Sequence, residues 1–172
     1  EGPRFGGAPG NYACHAARLG GEVYMVSGVG TGERGTAALA VLQGQGVKDD
    51  LVQRLEDYPT GIVTVEVGEG GKPTFEIGKD AAWDHWEWNQ AIEEKVRGAD
   101  AVCFGTLGQR GQSPRAGIRK AMQLAKERGI MRVHDVNLRP PFFDDAVIRD
   151  SLALCSVFKL SDDELVPVCQ AC

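Results

Sequence analysis

Four short runs in this sequence carry residue types that could do chemistry. Asp135-Val136-Asn137-Leu138-Arg139-Pro140-Pro141 brings together an acid, an amide and a guanidinium. A guanidinium is a planar fork of donors suited to phosphate, and the two prolines restrict the backbone behind it. The plainer alternative is an Arg139–Asp135 ion pair that tidies a loop. Lys159-Leu160-Ser161-Asp162-Asp163-Glu164 has two readings. Ser161 with Glu164 three residues on forms a capping box, or Glu164 orders the hydration shell of a Mg²⁺ ion beside nucleotide phosphates.

Gly6-Gly7-Ala8-Pro9-Gly10-Asn11 opens the chain. Two glycines let backbone approach a ligand closely, and Pro9 suits the first position of a helix. Asn11 then stands where an amide meets a hydroxyl-rich small molecule held over the helix N-terminus. A plain strand-to-helix turn describes the same fragment equally well. Gly30-Thr31-Gly32-Glu33-Arg34-Gly35 matches Gly-x-Gly-x-x-Gly, and Glu56 follows at about the twenty-residue distance of a dinucleotide fingerprint. A Gly-rich turn without a ligand is the simpler account.

The elements around these runs must position them. A buried strand is expected over Glu22–Val29, a helix over the Ala37, Ala38, Val41 and Leu42 spacing, and a strand over Leu51–Leu55. Thr60–Val67 and Thr74–Ile77 alternate apolar and polar residues about a Gly68-Glu69-Gly70-Gly71 turn, which is a β-hairpin unlike its surroundings. Helices follow at Glu87–Arg97, at Ser113-Pro114 to Arg128-Gly129 with Ser113 as the cap, at Asp144–Leu154 and from Asp162 onward. Strands separate them at Ala99–Gly105, Ile130–Val136 and Val157–Leu160. This β-α-β-α-β-α order implies parallel strands with helices on both faces, and ligands in such sheets bind at the carboxyl ends of strands.

Composition narrows the function classes. The 172 residues allow one domain, or one and part of another. A net charge of −5 with interleaved signs leaves no electrostatic footprint for nucleic acid. No apolar run approaches the ~20 residues of a membrane span. Five irregularly spaced cysteines argue for reduced thiols and a cytoplasmic protein rather than a disulfide framework, and Cys169-Gln170-Ala171-Cys172 is incidental. His15, His85 and His134 are dispersed without metal spacing, and Trp83, Trp86 and Trp88 fall together, as packing for the segment between hairpin and sheet or, the second reading, as a surface for a sugar ring.

Taken together the motifs resemble the PfkB (ribokinase-like) carbohydrate kinases, fructokinases in particular. The matching stretches are Gly6–Asn11 with Ala16–Gly20, Gly28-Val29-Gly30 with Glu33-Arg34-Gly35, Gly44–Val47, Thr60-Gly61, Ala82-Trp83-Asp84, Phe104–Leu107, Asp135–Pro140 and Lys159–Glu164. The resemblance implies an α/β/α sandwich with a mostly parallel sheet over residues 1–59 and 79–172, and a small β lid over 60–78. It implies transfer of the ATP γ-phosphoryl group to a sugar hydroxyl with Mg²⁺. Gly6, Gly7, Asn11, Gly105 and Asn137 would then hold the sugar, and Arg139 would lie near the transferring phosphoryl. Lys159, Ser161 and Glu164 would lie on the nucleotide side, Glu164 acting on the metal through water. It also implies that the Gly30–Gly35 turn binds no dinucleotide, and that the lid pairs with the lid of a second subunit.

The family's sugar-binding Asp on a first strand and its Gly-Ala-Gly-Asp segment, which supplies the catalytic base, have no counterpart in these residues. The sequence starts inside a loop and stops in a helical pattern, so we expect part of a longer protein, inactive by itself. Two other readings stand beside the kinase. One is an NAD(P)-binding oxidoreductase domain built on Gly30–Gly35, and the other is a sugar-binding module without chemistry.

Overall fold

The computed structural model describes residues 4–67 and 73–172; the expected Gly68–Gly71 turn lies outside the described residues. The chain runs α1 (Ala8–Arg18), β1 (Ser27–Gly30), α2 (Glu33–Gly44), β2 (Val52–Leu55), β3 (Val63–Val67), β4 (Pro73–Ile77), α3 (Gln90–Arg97), β5 (Ala101–Gly105), α4 (Gln112–Glu127), β6 (Met131–Asp135), α5 (Asp145–Leu154), β7 (Val157–Lys159) and α6 (Asp162–Ala171). β1 pairs with β2 and β5-β6-β7 pair in that order, all parallel, while β3 and β4 form a separate antiparallel hairpin.

Local chemistry sets most boundaries. The Asn89 side chain accepts the Ile92 N–H at the start of α3, and Asp144 accepts that of Val147 at the start of α5. Gly129, with φ +69°, ends α4 in the left-handed conformation that glycine adopts without cost.

Several expected boundaries shift, β3 starting at Val63 rather than Thr60 and β5 at Ala101 rather than Ala99 among them, and three of the shifts have a plain tertiary reason. The ladder of β1 covers only Ser27–Gly30, with a single bridge from Tyr24 to Lys48, because Val52 N–H bonds Asp49 O and takes the partner chain into a turn. α3 begins at Gln90, not Glu87, because Glu87 trades two hydrogen bonds with the Gln53 side chain. Ser113 is not the cap of α4. Gly111 takes that place and Ser113 Oγ donates to Trp86 O instead. A Cβ on Gly111 would lie 2.2 Å from Asp84 O, so only glycine allows that approach.

β5 shows how the layers form. Phe104 points into the main core with Ile92, Val96, Ala121 and Met122 of α3 and α4. Its neighbour Cys103 points the other way, toward Tyr12 of α1. Helices therefore cover both faces of the sheet. Fully burying side chains such as Ile92 or Met122 contributes ~1.5–3 kcal/mol apiece, so this cluster is the frame on which strand ends are held. A second cluster of Val136, Leu138, Ile148, Val168 and Ala171 sits under the loop after β6, and a third of Ala13, Cys14, Leu42 and Val47 joins α1 to α2. In the hairpin, Val63 faces Ile77 and Val65 faces Phe75, so these four share one side.

Candidate functional site

Gly105, Asp135 and Lys159 end β5, β6 and β7 in a single register row. Lys159 Nζ lies 3.1 Å from Asp135 Oδ1. The alternative ion pair of Asp135 with Arg139 is therefore not formed; the acid is taken by the lysine beside it. Past β6 the chain bends through Asn137 at φ +39°, a conformation Asn tolerates better than most residues. Buried Leu138 then leads into Arg139.

Glu164 fixes this bend. It is almost fully buried. Its Oε1 accepts the Leu138 N–H at 2.6 Å and its Oε2 accepts the Ser161 N–H at 2.8 Å. One carboxylate thus ties the loop after β6 to the start of α6, besides closing the capping box with Ser161. Burial pushes its carboxyl pKa up, but the two backbone N–H groups, the Ser161 side chain and the Lys159 charge outweigh it and hold the pKa below the usual range. Glu164 is therefore an ionised group, and every such buried charge needs its bonds.

Arg139 donates from Nη1 to Leu138 O at 2.8 Å, and its guanidinium carbon lies 5.3 Å from the centre of the Phe75 ring. Among the described residues it makes no ion pair. Phe75 had no signal of its own in the sequence beyond strand alternation. It joins the site because the hairpin reaches over the loop after β6.

Under the Gly105 end lies a buried polar layer that the sequence did not reveal. Gln109 donates from Nε2 to Gly105 O and to Ser151 Oγ, at 3.2 and 2.9 Å. His134 Nε2 lies 3.3 Å from Thr106 Oγ1, and its ring stacks on Phe104. Burial pushes the His134 pKa down to about 4 against the opposing charges of Asp135 and Glu164. The imidazole is neutral and holds the turn after β5.

Gly6, Gly7 and Asn11 stand at the N-terminus of α1, which packs on β5. Gly7 has φ +98° and no atom near where a Cβ would be, so its backbone is open to a ligand. Pro9 is the second residue of the helix, not the first. No side chain caps this end, which leaves backbone N–H groups for a bound molecule. Among the described residues no hydrogen bond or ion pair joins Gly6, Gly7 or Asn11 to Arg139, Lys159 or Glu164; the structure does not bring the two groups into contact.

The Gly30–Gly35 turn lines a cavity with Glu56–Thr60, but its first and last glycines are used by its own chain. Gly30 N–H donates to Thr60 Oγ1 at 3.0 Å, so an amide that would meet a pyrophosphate is already used. A Cβ on Gly35 would lie 1.9 Å from Gly30 O, and one on Gly30 would lie 2.7 Å from Tyr58 O. These glycines serve backbone packing. The dinucleotide reading loses its physical basis here.

Similarity to known proteins shows the family and the fold. The sequence profile of the pfkB family carbohydrate kinases matches residues 3–172. Fructokinase-2 of Solanum habrochaites is 29% identical over 96% of this chain and 53% of its own length. Fructokinase-1 of Oryza sativa subsp. japonica is 31% identical over 81% and 45%. An uncharacterized sugar kinase from Pyrococcus horikoshii, solved in complex with ATP, superposes with a TM-score of 0.83 at 26% identity, over 96% of this chain and 56% of that one. Fructokinase from Xylella fastidiosa superposes at 0.86 with 24% identity, over 96% and 53%. The chain spans about half the length of the curated relatives it matches.

Proposed function

This chain belongs to the pfkB family of carbohydrate kinases, and from that premise we propose that the whole protein transfers the γ-phosphoryl group of ATP to a hydroxyl of a small sugar, with fructose the first candidate. The observation that carries the reading is the strand-end row of Gly105, Asp135 and Lys159 with Arg139 held beside it by the Glu164 bonds. Relatives named fructokinases favour a ketose acceptor.

Phosphoryl transfer asks a protein mainly for positioning and for charge placed where charge develops. Arg139 supplies a guanidinium on a backbone fixed at Leu138. Lys159 supplies a second cation, and the open N-terminus of α1 supplies amides for sugar hydroxyls, aided by Asn11, Gly105 and Asn137. The nucleotide fits the Lys159–Ser161–Glu164 side. Glu164 is ionised, and beyond its two backbone bonds and the Ser161 hydroxyl it keeps acceptor capacity, which suits a Mg²⁺ ion held through water. MgATP, when bound, supplies the activated phosphoryl group. Among the described residues no cluster of three or more His, Cys, Asp or Glu stands ready to ligate a metal directly.

The hairpin of residues 60–78 acts in this reading as a lid over the sugar, and its apolar side of Val63, Val65, Phe75 and Ile77 pairs with that of a second subunit. The protein works in the cytoplasm on a small molecule, with neither nucleic acid nor membrane as partner. The 172 residues alone contain no Gly-Ala-Gly-Asp segment, and we expect them to show no turnover.

The test is phosphorus NMR of the full-length protein with MgATP and, in turn, fructose, ribose and a ketodeoxy sugar acid. A phosphate monoester formed from one of them supports the kinase. Sugar binding by calorimetry with no monoester from any of them would establish the non-catalytic module instead.

A further inference from the structure

The hairpin leaves the core at Gly61 and returns at Gly78, and both roots meet one small assembly. A Cβ on Gly61 would lie 2.4 Å from the Trp83 ring, so the indole rests directly on that backbone. Gly78 O accepts from Arg110 Nη2 at 2.7 Å, while Gly78 N–H bonds Ile62 O and ties the two roots together. Arg110 forks onto Asp84 through Nε and Nη2, each at 2.6 Å, and Asp84 also accepts the Ala81 N–H. The guanidinium lies between the rings of Trp83 and Phe142, at 5.4 and 4.7 Å. Phe142 N–H bonds Arg139 O, so the same guanidinium touches the turn that presents Arg139.

Stability alone gives weak grounds for this arrangement. Both side chains of the ion pair are nine-tenths buried, and apolar groups of similar volume commonly serve at least as well in such places. Arg110 Nη1 and Trp83 Nε1 are buried without a partner among the described residues, which costs further stability. What the pair does provide is directional bonding between Arg110 and the Gly78–Asp84 segment, which lies 26 to 32 residues away in sequence.

We propose that Trp83, Asp84 and Arg110 anchor both roots of the hairpin and set its distance from the Arg139 turn, so that Arg110 is a positioning residue for the sugar during phosphoryl transfer. The transfer part rests on the kinase reading above; the anchoring part does not.

The experiment uses the full-length protein and the double variant D84N/R110M, which removes both charges without leaving one buried alone. The amide introduced by Asp84→Asn keeps an acceptor for the Ala81 N–H. Gly61→Ala, which displaces the Trp83 ring and leaves the ion pair intact, is the second variant. Amide hydrogen exchange is read for residues 63–67 and 74–77 against α4 and β5. Sugar KM, ATP KM and kcat are measured alongside.

Anchoring requires hairpin exchange at least ~10-fold faster in both variants, with α4 and β5 unchanged. Positioning requires a sugar KM raised ~10-fold or more, within the range that a small misplacement produces, and an ATP KM within about twofold. Arg110→Lys should restore only part of the sugar KM, because an ammonium cannot bridge Asp84 and Gly78 as the fork does. Unchanged hairpin exchange with a lower Tm would overturn the anchor and leave a plain structural ion pair. Faster exchange with an unchanged sugar KM would overturn the positioning role. If the unmodified protein phosphorylates no sugar, the kinase reading fails while the exchange data still decide the anchor.

Discussion

After β1 the chain turns through Gly30–Gly35, and two of its glycines pack backbone against backbone beside a shallow cavity lined by Gly30–Arg34 and Glu56–Thr60. Gly35 packs against Gly30 O, Gly30 against Tyr58 O, and Thr60 takes the Gly30 N–H. After β6 the chain also turns at the carboxyl end of a parallel strand, but Glu164 from α6 does the holding, and the guanidinium of Arg139 is left without an ion pair among the described residues. The first turn has the glycines of a ligand-binding fingerprint and spends Gly30 and Gly35 on its own packing. The second has ordinary residues and keeps a charged group available. The difference teaches that a turn's capacity to bind is decided by which of its donors the protein has already used.

Variants can break or sharpen this contrast. The largest effect belongs to Gly35→Ala, whose Cβ must displace backbone; we expect a loss of ~4 kcal/mol or more, read as failure to fold or a large fall in Tm. If this variant melts normally, the self-packed account of the first turn is wrong. Next comes Arg139→Ala in the full-length enzyme, expected to lower kcat ~10²-fold, comparable to removing a preorganised electrostatic donor, with Tm little changed. Arg139→Lys should recover part of that. A near-normal kcat with early melting would make Arg139 structural, and the two turns would then be alike.

The polar layer beneath the second turn predicts a pH dependence. His134 has an ordinary pKa of 6.5 when unfolded and about 4 when folded. Between those values the unfolded chain binds the extra proton, so stability is complete above pH 6.5 and falls as pH drops toward 4. The full difference is about 3 kcal/mol. Urea midpoints at pH 7 and 4.5 for wild type and His134→Phe should show a smaller fall in the variant; equal falls would refute the buried neutral imidazole.

Glu164→Gln is expected to cost ~1–3 kcal/mol, because an amide offers one acceptor and one donor to the two N–H groups of Leu138 and Ser161. Calorimetric melting checks this. The smallest effect belongs to Gly32→Ala. Gly32 has φ −74° and nothing near a Cβ, so stability should change by only a few tenths of a kcal/mol. Titration with NAD should give no heat in either form. Tight NAD binding lost on this substitution would restore the dinucleotide reading.

The order of strands and helices was legible because it is written locally. Gly129 ends a helix, alternation marks the hairpin, and the run of elements after Ala99 dictated a parallel sheet with helices on both faces, whereas the Asn89 cap lay unread inside the expected Glu87–Arg97 helix. The capping box of Ser161 and Glu164 was legible for the same reason. The boundaries that moved did so where a distant residue took a local group, as Gln53 took the backbone of Glu87 and Trp86 took the hydroxyl of Ser113.

Sequence by itself determined the order of elements, the family resemblance, and the positions of Arg139 and Lys159 after or at strand ends and of Glu164 in the first turn of a helix. These follow from periodicity, caps and turn residues, whose forces act within a few residues of chain. Tertiary structure alone decided that Glu164 also binds Leu138 at a separation of 26 residues, that Phe75 lies against Arg139, that Asp135 pairs with Lys159, and that Arg110 grips the roots of the hairpin. Each of those depends on how a donor, an acceptor or a ring is used up by a partner far away in sequence, and packing is what makes that choice.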